Sequence, residues 1–168
     1  MELELKAISK SGIPAALKKA ELYRNLNEPG EAESICRDIL AIEPDHQLAR
    51  RQLGLAITDR FKGEPSDRHE EAARLFEGLA DPYERVYYMG LLHERRAKAY
   101  LRSGHPPHTV PAILKDAMRR FEEAEKIRPK DNDDAILRWN RCVRLIREWE
   151  IEMEAARERE PPAPILGD

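Results

Sequence analysis

The sequence is poor in cysteine and glycine. It has 2 cysteines and 8 glycines in 168 residues. Two cysteines are too few for a disulfide scaffold or a thiolate metal site. Alternating runs of β-branched residues, which are typical of strands, are nearly absent. These absences exclude a disulfide-rich secreted domain and argue against a sheet.

The chain also lacks a large excess of positive or negative charge, and it lacks a long apolar run. Lys and Arg number 29 against 32 for Asp and Glu, a net charge of -3. Bulk attraction to nucleic acid or to an anionic membrane is therefore not expected. No apolar stretch approaches 18 residues, which excludes a spanning helix. The first residues do not resemble a secretory signal, so we expect a cytoplasmic protein.

What the sequence does have is helical periodicity, because apolar residues recur at steps of three and four between clusters of proline. This pattern predicts seven helices, at about 14–26, 30–42, 46–61, 67–79, 82–103, 111–127 and 131–160. Asp67 and Glu70 have the spacing of a capping box at the start of the fourth helix. Asp81 and Pro82 predict the start of the fifth.

One pattern recurs three times along these helices. A small residue is followed by a larger one four positions later and by a further apolar residue seven positions later, on one helix face. The three copies are Ala32, Cys36 and Ile39; Ala72, Phe76 and Leu79; and Ala117, Phe121 and Ala124. The small residue allows two helices to approach closely, and the larger residue fills the remaining space. Pro44 and Pro129 follow the first and third copies at the same distance and end those helices.

This pattern resembles that of the tetratricopeptide repeat (TPR) family, over about residues 13 to 145. The matching positions are Ala20, Tyr23, Ala32, Cys36 and Pro44 in the first unit, Leu53, Gly54, Ala72 and Phe76 in the second, and Ala97, Tyr100, Gly104, Ala117, Phe121, Ala124 and Pro129 in the third. In the third unit, a register based on Met89 and Gly90 is the alternative. Additional residues at about 62–67 and 104–111 fall between paired helices, at one end of the stack.

The resemblance implies an all-α fold, an α-solenoid (superhelix) of about three helical hairpins with a long C-terminal capping helix. It divides the chain into an N-terminal extension (1–12), repeat units (13–45, 46–80 and 81–130), a capping helix (131–160) and a Pro-rich tail (161–168), which we expect to be disordered.

The resemblance also implies a function, because the first helix of each hairpin lines a groove. We expect a non-catalytic scaffold or adaptor that binds a protein or peptide segment there, with a bias to acidic or carboxylate-terminated ligands. The predicted groove residues are Lys18, Glu21, Asn25, Arg51, Gln52, Leu55, Asp59, Glu94, Arg95, Lys98, Arg102, Asn140 and Arg144. Of the residues with which related proteins clamp a chaperone's C-terminal carboxylate, Arg95 alone has a match, so that specialised function is not carried over.

The seventh helix has a heptad pattern of its own, made of Ala135, Trp139, Cys142, Ile146, Trp149, Met153 and Ala156. One interpretation is that the helix folds back over the stack. The other is an exposed seam at Ile146, Trp149 and Met153 that forms a homo-oligomer or docks a partner helix. Self-assembly through this seam is the alternative function.

Motifs for catalysis, cofactors or metals are not found. His69 and His93 each lack the second histidine of a helical zinc-protease motif, and there is no phosphate loop. We expect no enzyme activity, cofactor or metal, and we interpret Cys36 and Cys142 as small core residues. Arginines also recur at every third position of the seventh helix; they are either a solvated face paired with nearby acids or a basic strip for an acidic protein segment. These are Arg138, Arg141, Arg144 and Arg147.

Overall fold

A computed structural model describes residues 3–104 and 106–159, and this part of the chain is all-helical. It contains seven α-helices, as predicted, and no strand. Their bounds are α1 (Ile13–Asn25), α2 (Pro29–Ile42), α3 (Gln47–Asp59), α4 (His69–Glu77), α5 (Pro82–Arg102), α6 (Val110–Lys126) and α7 (Asp134–Arg159). The predicted tail, 161–168, lies outside the described residues. A short 3-10 helix that the sequence did not predict, Lys10–Gly12, precedes α1.

The start of α5 follows the prediction, and the start of α4 does not. The Asp81 carboxylate accepts a hydrogen bond from the backbone N–H of Glu84 at 3.1 Å, and Pro82 occupies the first turn. The predicted capping box at Asp67 is wrong, because α4 begins two residues later and has no side-chain cap. Asp67 instead accepts backbone N–H bonds from the preceding loop, including one of 2.8 Å from Gly63.

The helices pack in chain order, which makes the fold solenoid-like. Each helix lies against the next one, from α1 through α7. In addition, α1 contacts α3, α3 contacts α5, and α5 contacts α7, whereas α2, α4 and α6 do not pack closely on one another within the described residues. We call the surface formed by α1, α3, α5 and α7 the first-helix face. These contacts bring helices of successive pairs together on this face.

Small residues and aromatic rings determine the helix spacing, as the repeated pattern predicts. Ala32, Ala72 and Ala117 are fully buried. At Gly54, an added Cβ atom would lie 2.7 Å from Cζ of Phe76; at Gly90, it would lie 2.7 Å from Cε1 of Phe121. Gly90 in α5 therefore occupies the place that Gly54 has in α3.

These two glycines decide the register of the third pair of helices. The matching positions are Met89 and Gly90, which was the alternative in the sequence. Ala97, the small residue of the other register, is buried in the core between α5, α6 and α7. Gly104 follows the end of α5 with a φ of 79°, a conformation that favours glycine.

The heptad pattern of α7 is covered by the same chain at Ala135, Cys142, Ile146 and Trp149, whereas Trp139 and Ala156 are exposed. Ala135 and Cys142 are buried, and Ile146 and Trp149 pack against the core between α5 and α6. The expectation of an exposed seam is therefore not met at Ile146 and Trp149. The helix folds back over the stack there, while Met153 is half-buried beyond it.

The longer loops lie together at one end of the stack, as predicted. Gly63, in the loop between α3 and α4, has a φ of 79°, and an added Cβ there would lie 2.9 Å from the carbonyl oxygen of Ala99. Arg102 donates a hydrogen bond to the carbonyl oxygen of Phe61 at 3.4 Å. The first loop is thus packed on the end of α5, where the second loop begins. No helix of the described residues has the length and apolar character needed to cross a membrane.

Candidate functional site

The first-helix face is crossed by a chain of hydrogen-bonded charges from three helices. Nε of Arg24 (α1) donates to the Asp59 carboxylate (α3) at 2.7 Å, and its NH1 donates to the Gln52 side chain at 3.1 Å. Arg95 (α5) forms an ion pair with the other carboxylate oxygen of Asp59. Asp59 therefore lies between two arginines, and its side chain is 23% exposed.

Arg95 is also held by groups of α3 other than Asp59. Its NH1 also donates to the Thr58 hydroxyl at 2.7 Å and to the Leu55 carbonyl oxygen at 3.2 Å. Burial lowers the pKa of Arg95, and the positive charges of Arg24 and Arg138 act in the same direction. The guanidinium groups of Arg24 (α1) and Arg138 (α7) are thus each close enough to repel that of Arg95 (α5).

A second group of charges joins α5 to α7. The Glu94 side chain is fully buried, and its Oε1 accepts from Arg138 at 3.2 Å and from Lys98 at 3.4 Å. Its Oε2 has no hydrogen-bond partner within the described residues. A buried carboxylate requires compensating charge, so Arg138 and Lys98 are held beside it.

A third pair joins α3 to α5 near the start of α5. NH1 of Arg51 donates to the Glu84 carboxylate at 2.6 Å, and its guanidinium carbon lies 5.9 Å from the centre of the Tyr88 ring. Tyr88 in turn stacks on Phe76 at 5.4 Å. The guanidinium group of Arg51 therefore lies over a ring that packs against the core.

The structure brings some of the predicted groove residues together and leaves others apart. Those joined in the charge networks are Arg51, Gln52, Asp59, Glu94, Arg95 and Lys98. Leu55 is only 8% exposed and belongs to the core, so it has little surface to offer a ligand. The residues that the structure does not join to these networks are Lys18, Glu21, Asn25, Arg102, Asn140 and Arg144.

Three members of the networks were absent from the predicted groove: Arg24, Glu84 and Arg138. In the repeat register, Arg24 of α1 corresponds to Thr58 of α3 and to Glu94 of α5. Each of these residues immediately precedes a predicted groove residue (Asn25, Asp59 and Arg95), so Arg24 occupies an equivalent position. The repeat spacing could have found it. Arg138 belongs to the arginine stripe of the seventh helix, for which pairing with nearby acids was one of two interpretations, but its partner is Glu94, 44 positions away.

The remaining candidate groups pack in the interior. Burial raises the pKa of both thiols, Cys36 and Cys142, to about 12, in agreement with their interpretation as core residues. Tyr87 packs against Tyr83, Tyr88 and Phe121, with ring centres 5.1–5.8 Å apart. In residues 3–104 and 106–159, no three His, Cys, Asp or Glu side chains form a group that could hold a metal ion.

Comparisons with protein-family models, with curated proteins and with solved structures find no match to this chain. The candidate site therefore depends on the geometry alone. That geometry offers many N–H donors of guanidinium groups on a face shared by four helices. Such groups bind carboxylates, often through two parallel hydrogen bonds.

Proposed function

We propose that this protein is an interaction module, a scaffold or adaptor of the TPR type, that binds acidic protein segments on the first-helix face. The observation that carries the proposal is that cations from separate helices meet on this face: Arg24 and Arg95 share Asp59, and Arg138 pairs with the neighbouring acid, Glu94. Arg24 and Arg138 both act electrostatically on Arg95. The sequence resemblance to TPR proteins supports the same proposal.

The ion pairs already present leave donors for a ligand. A guanidinium group has five N–H donors. Arg95 makes its hydrogen bonds to Leu55, Thr58 and Asp59 through NH1, and the hydrogen bond of Arg138 to Glu94 also uses NH1. A ligand carboxylate therefore adds to these pairs without replacing them. It also reduces the mutual repulsion of the arginines, which is the physical reason for a preference for acidic ligands.

The expected affinity comes from several contacts, since one exposed ion pair contributes only about 0.2–1 kcal/mol. Loss of one such contact weakens binding by up to about fivefold. An extended acidic segment that crosses α1, α3, α5 and α7 makes several contacts at once. A single aspartate or glutamate in a peptide is not sufficient.

Fluorescence anisotropy with labelled peptides tests the proposal. The probes are an acidic pool of Asp, Glu, Ser and Gly and a basic pool in which Lys and Arg replace the acids. We expect the full chain to bind the acidic pool more tightly, and to bind it less tightly at higher salt. Equal binding of both pools, or tighter binding of the basic pool, contradicts the proposal.

Two variants locate the binding. Arg24→Gln and Lys98→Gln each remove a positive charge from the first-helix face. We expect each variant to weaken the binding of the acidic pool by up to about fivefold. Arg74→Gln is the matched control, because Arg74 lies on α4 with 72% of its side chain exposed. If the control weakens binding as much as the other two, net charge and not this face is responsible.

Self-assembly through α7 is the weaker candidate. Ile146 and Trp149 are already packed against their own chain, so they contribute little surface to a second copy. Light scattering at several protein concentrations separates the two functions. A mass that stays at that of one chain is expected for the interaction module.

A further inference from the structure

On the other side of the stack, an apolar cleft lies against α4 and α5. Ala73 of α4 and Met89 and Leu92 of α5 contribute its walls, and His69, His93 and Arg96 surround them. We call this the α4–α5 cleft. It lies among residues that neither the groove prediction nor the proposed function uses.

Arg96 at this cleft is a half-buried cation without an acidic partner. Its Nε is buried and has no hydrogen-bond partner, and its guanidinium carbon lies 5.8 Å from the centre of the Tyr100 ring. In the described part of the chain, the other arginines without a hydrogen bond or ion pair are exposed on α7: Arg144, Arg147 and Arg157. A half-buried charge without a counter-ion is costly, and an incoming anion removes that cost.

The acids near Arg96 do not pair with it. Glu70, which also lines the cleft, lies 3.9 Å from Arg74, and its side chain is 94% exposed. Asp116 pairs with Arg119 along α6, and Glu123 pairs with Arg120 at 3.3 Å, in a depression that also reaches His93. The surface around Arg96 therefore has cations and imidazoles without a surplus of acids.

The pKa values of the two imidazoles, His69 and His93, are both lowered at this surface. Burial is the main reason why the pKa of His69 is lowered, and the charge of Arg96 lowers it further. Burial likewise lowers the pKa of His93, with contributions from Arg120, Arg96 and Arg119. Nε2 of His69 is buried without a hydrogen-bond partner. The cleft thus combines an apolar wall, unpartnered polar atoms and a positive field.

The size of the cleft indicates how large an apolar group it can take. Its volume is 160 Å³. A cavity of about 150 Å³ lined by apolar side chains holds one benzene molecule. One leucine, isoleucine or phenylalanine side chain is of that order.

We propose that the α4–α5 cleft is a second docking site, for a partner protein's segment in which a large apolar residue adjoins an acidic one. The apolar side chain enters between Ala73, Met89 and Leu92, and the carboxylate pairs with Arg96. The acidic segment on the first-helix face needs no apolar residue, so the two sites select different segments. A chain with both sites bridges two partners.

The test uses three labelled octapeptides with the full chain: alternating leucine and glutamate, leucine and lysine, and serine and glutamate. We expect the leucine–glutamate peptide to bind most tightly and to shift the imidazole NMR signals of His69 and His93. Arg96→Gln should weaken it by about tenfold or more, because a charge-assisted contact is lost. Ala73→Leu, which fills the cleft from its wall, should weaken it too.

Arg157→Gln is the control, since Arg157 is also an arginine without a recorded partner but is exposed on α7. Unchanged binding in both Arg96→Gln and Ala73→Leu overturns the proposal, and so does a serine–glutamate peptide that shifts the His69 and His93 signals as much as the leucine–glutamate peptide does. Loss of leucine–glutamate binding in Arg24→Gln but not in Arg96→Gln assigns that peptide to the first-helix face and also overturns it. A dimer that disappears in Arg96→Gln places a second copy in the cleft instead of a partner.

Discussion

Replacement of Gly54 by alanine tests the packing on which the stack depends. Gly54 lies in the middle of α3, where the backbone faces the ring of Phe76 on α4. The new methyl group would lie 2.7 Å from Cζ and closer still to Cε1 of that ring. Carbon atoms in contact prefer a separation of about 3.5–4.0 Å. The ring or the helix must therefore move by about 1 Å.

Two opposing terms determine the size of the effect. Alanine is a better helix former than glycine by about 1 kcal/mol. An additional methyl group in a well-packed core costs about 1–3 kcal/mol. Phe76 is fully buried in its core cluster, so its ring cannot turn out into solvent. Because the clash is severe, the packing cost should lie in the upper half of that range, about 2–3 kcal/mol. After subtraction of the helix gain, we expect Gly54→Ala to lower the free energy of unfolding by about 1–2 kcal/mol.

Urea denaturation followed by circular dichroism measures this change, with Gly30→Ala as the matched control. Gly30 lies in the first turn of α2, and the nearest atom to an added Cβ is 4.0 Å away. The control should therefore leave stability unchanged or raise it. The same steric argument predicts that Gly90→Ala, which faces Phe121, is destabilising like Gly54→Ala.

A double-mutant cycle identifies the ring as the cause. In the Phe76→Leu background, the ring atoms that meet the methyl group are gone, so Gly54→Ala should cost clearly less than in the wild-type protein. The reasoning is refuted if Gly54→Ala is as stable as Gly30→Ala, or if its cost is the same with Phe76 and with leucine at that position.

Three further results are expected. Hydrogen bonding to Arg68 lowers the pKa of Glu33 to about 2 from an ordinary 4.5. The ionised carboxylate therefore contributes up to about 3 kcal/mol to the free energy of unfolding above pH 4.5, and this contribution is lost as the pH falls towards 2. Urea titrations from pH 2 to 7 should show that Glu33→Gln lacks this part of the pH dependence. Asp67→Ala removes three backbone N–H bonds from the loop before α4, so amide hydrogen exchange of Gly63 should accelerate at least tenfold; an unchanged rate contradicts the role of Asp67. Both buried thiols should react with a thiol reagent at neutral pH only as fast as the chain unfolds, and rapid labelling of the native protein would contradict this.

The helices and their spacing follow from local patterns, so the sequence predicts them well. Six helices begin within two residues of their predicted starts, and the seventh begins within the interval over which its acids suggested a start. The small residues Ala32, Ala72 and Ala117 are buried, because a helix face that is apolar every three or four residues must be covered. The exception is Asp67, whose position suits a capping box but whose carboxylate binds the loop instead. Both uses satisfy backbone N–H groups, and the spacing alone cannot distinguish them.

The charge networks are less accessible from the sequence. Arg24 meets Asp59 across 35 positions, and Arg138 meets Glu94 across 44 positions. Which side chains meet depends on the offset between successive helix pairs. That offset changes with the long loops between α3 and α4 and between α5 and α6. Arg96 was not selected either, because a cation without a partner is recognised only when all its neighbours are known.

The central claim is that the first-helix face binds acidic segments. Its most direct test is an NMR titration of the isotopically labelled protein with an acidic peptide of Asp, Glu, Ser and Gly, which lacks the apolar residue that the α4–α5 cleft requires. We expect the shifted signals to lie on α1, α3, α5 and α7, with the arginine side chains Arg24, Arg95 and Arg138 among them. Shifts confined to α2, α4 and α6, or no saturable shift at all, would contradict the account.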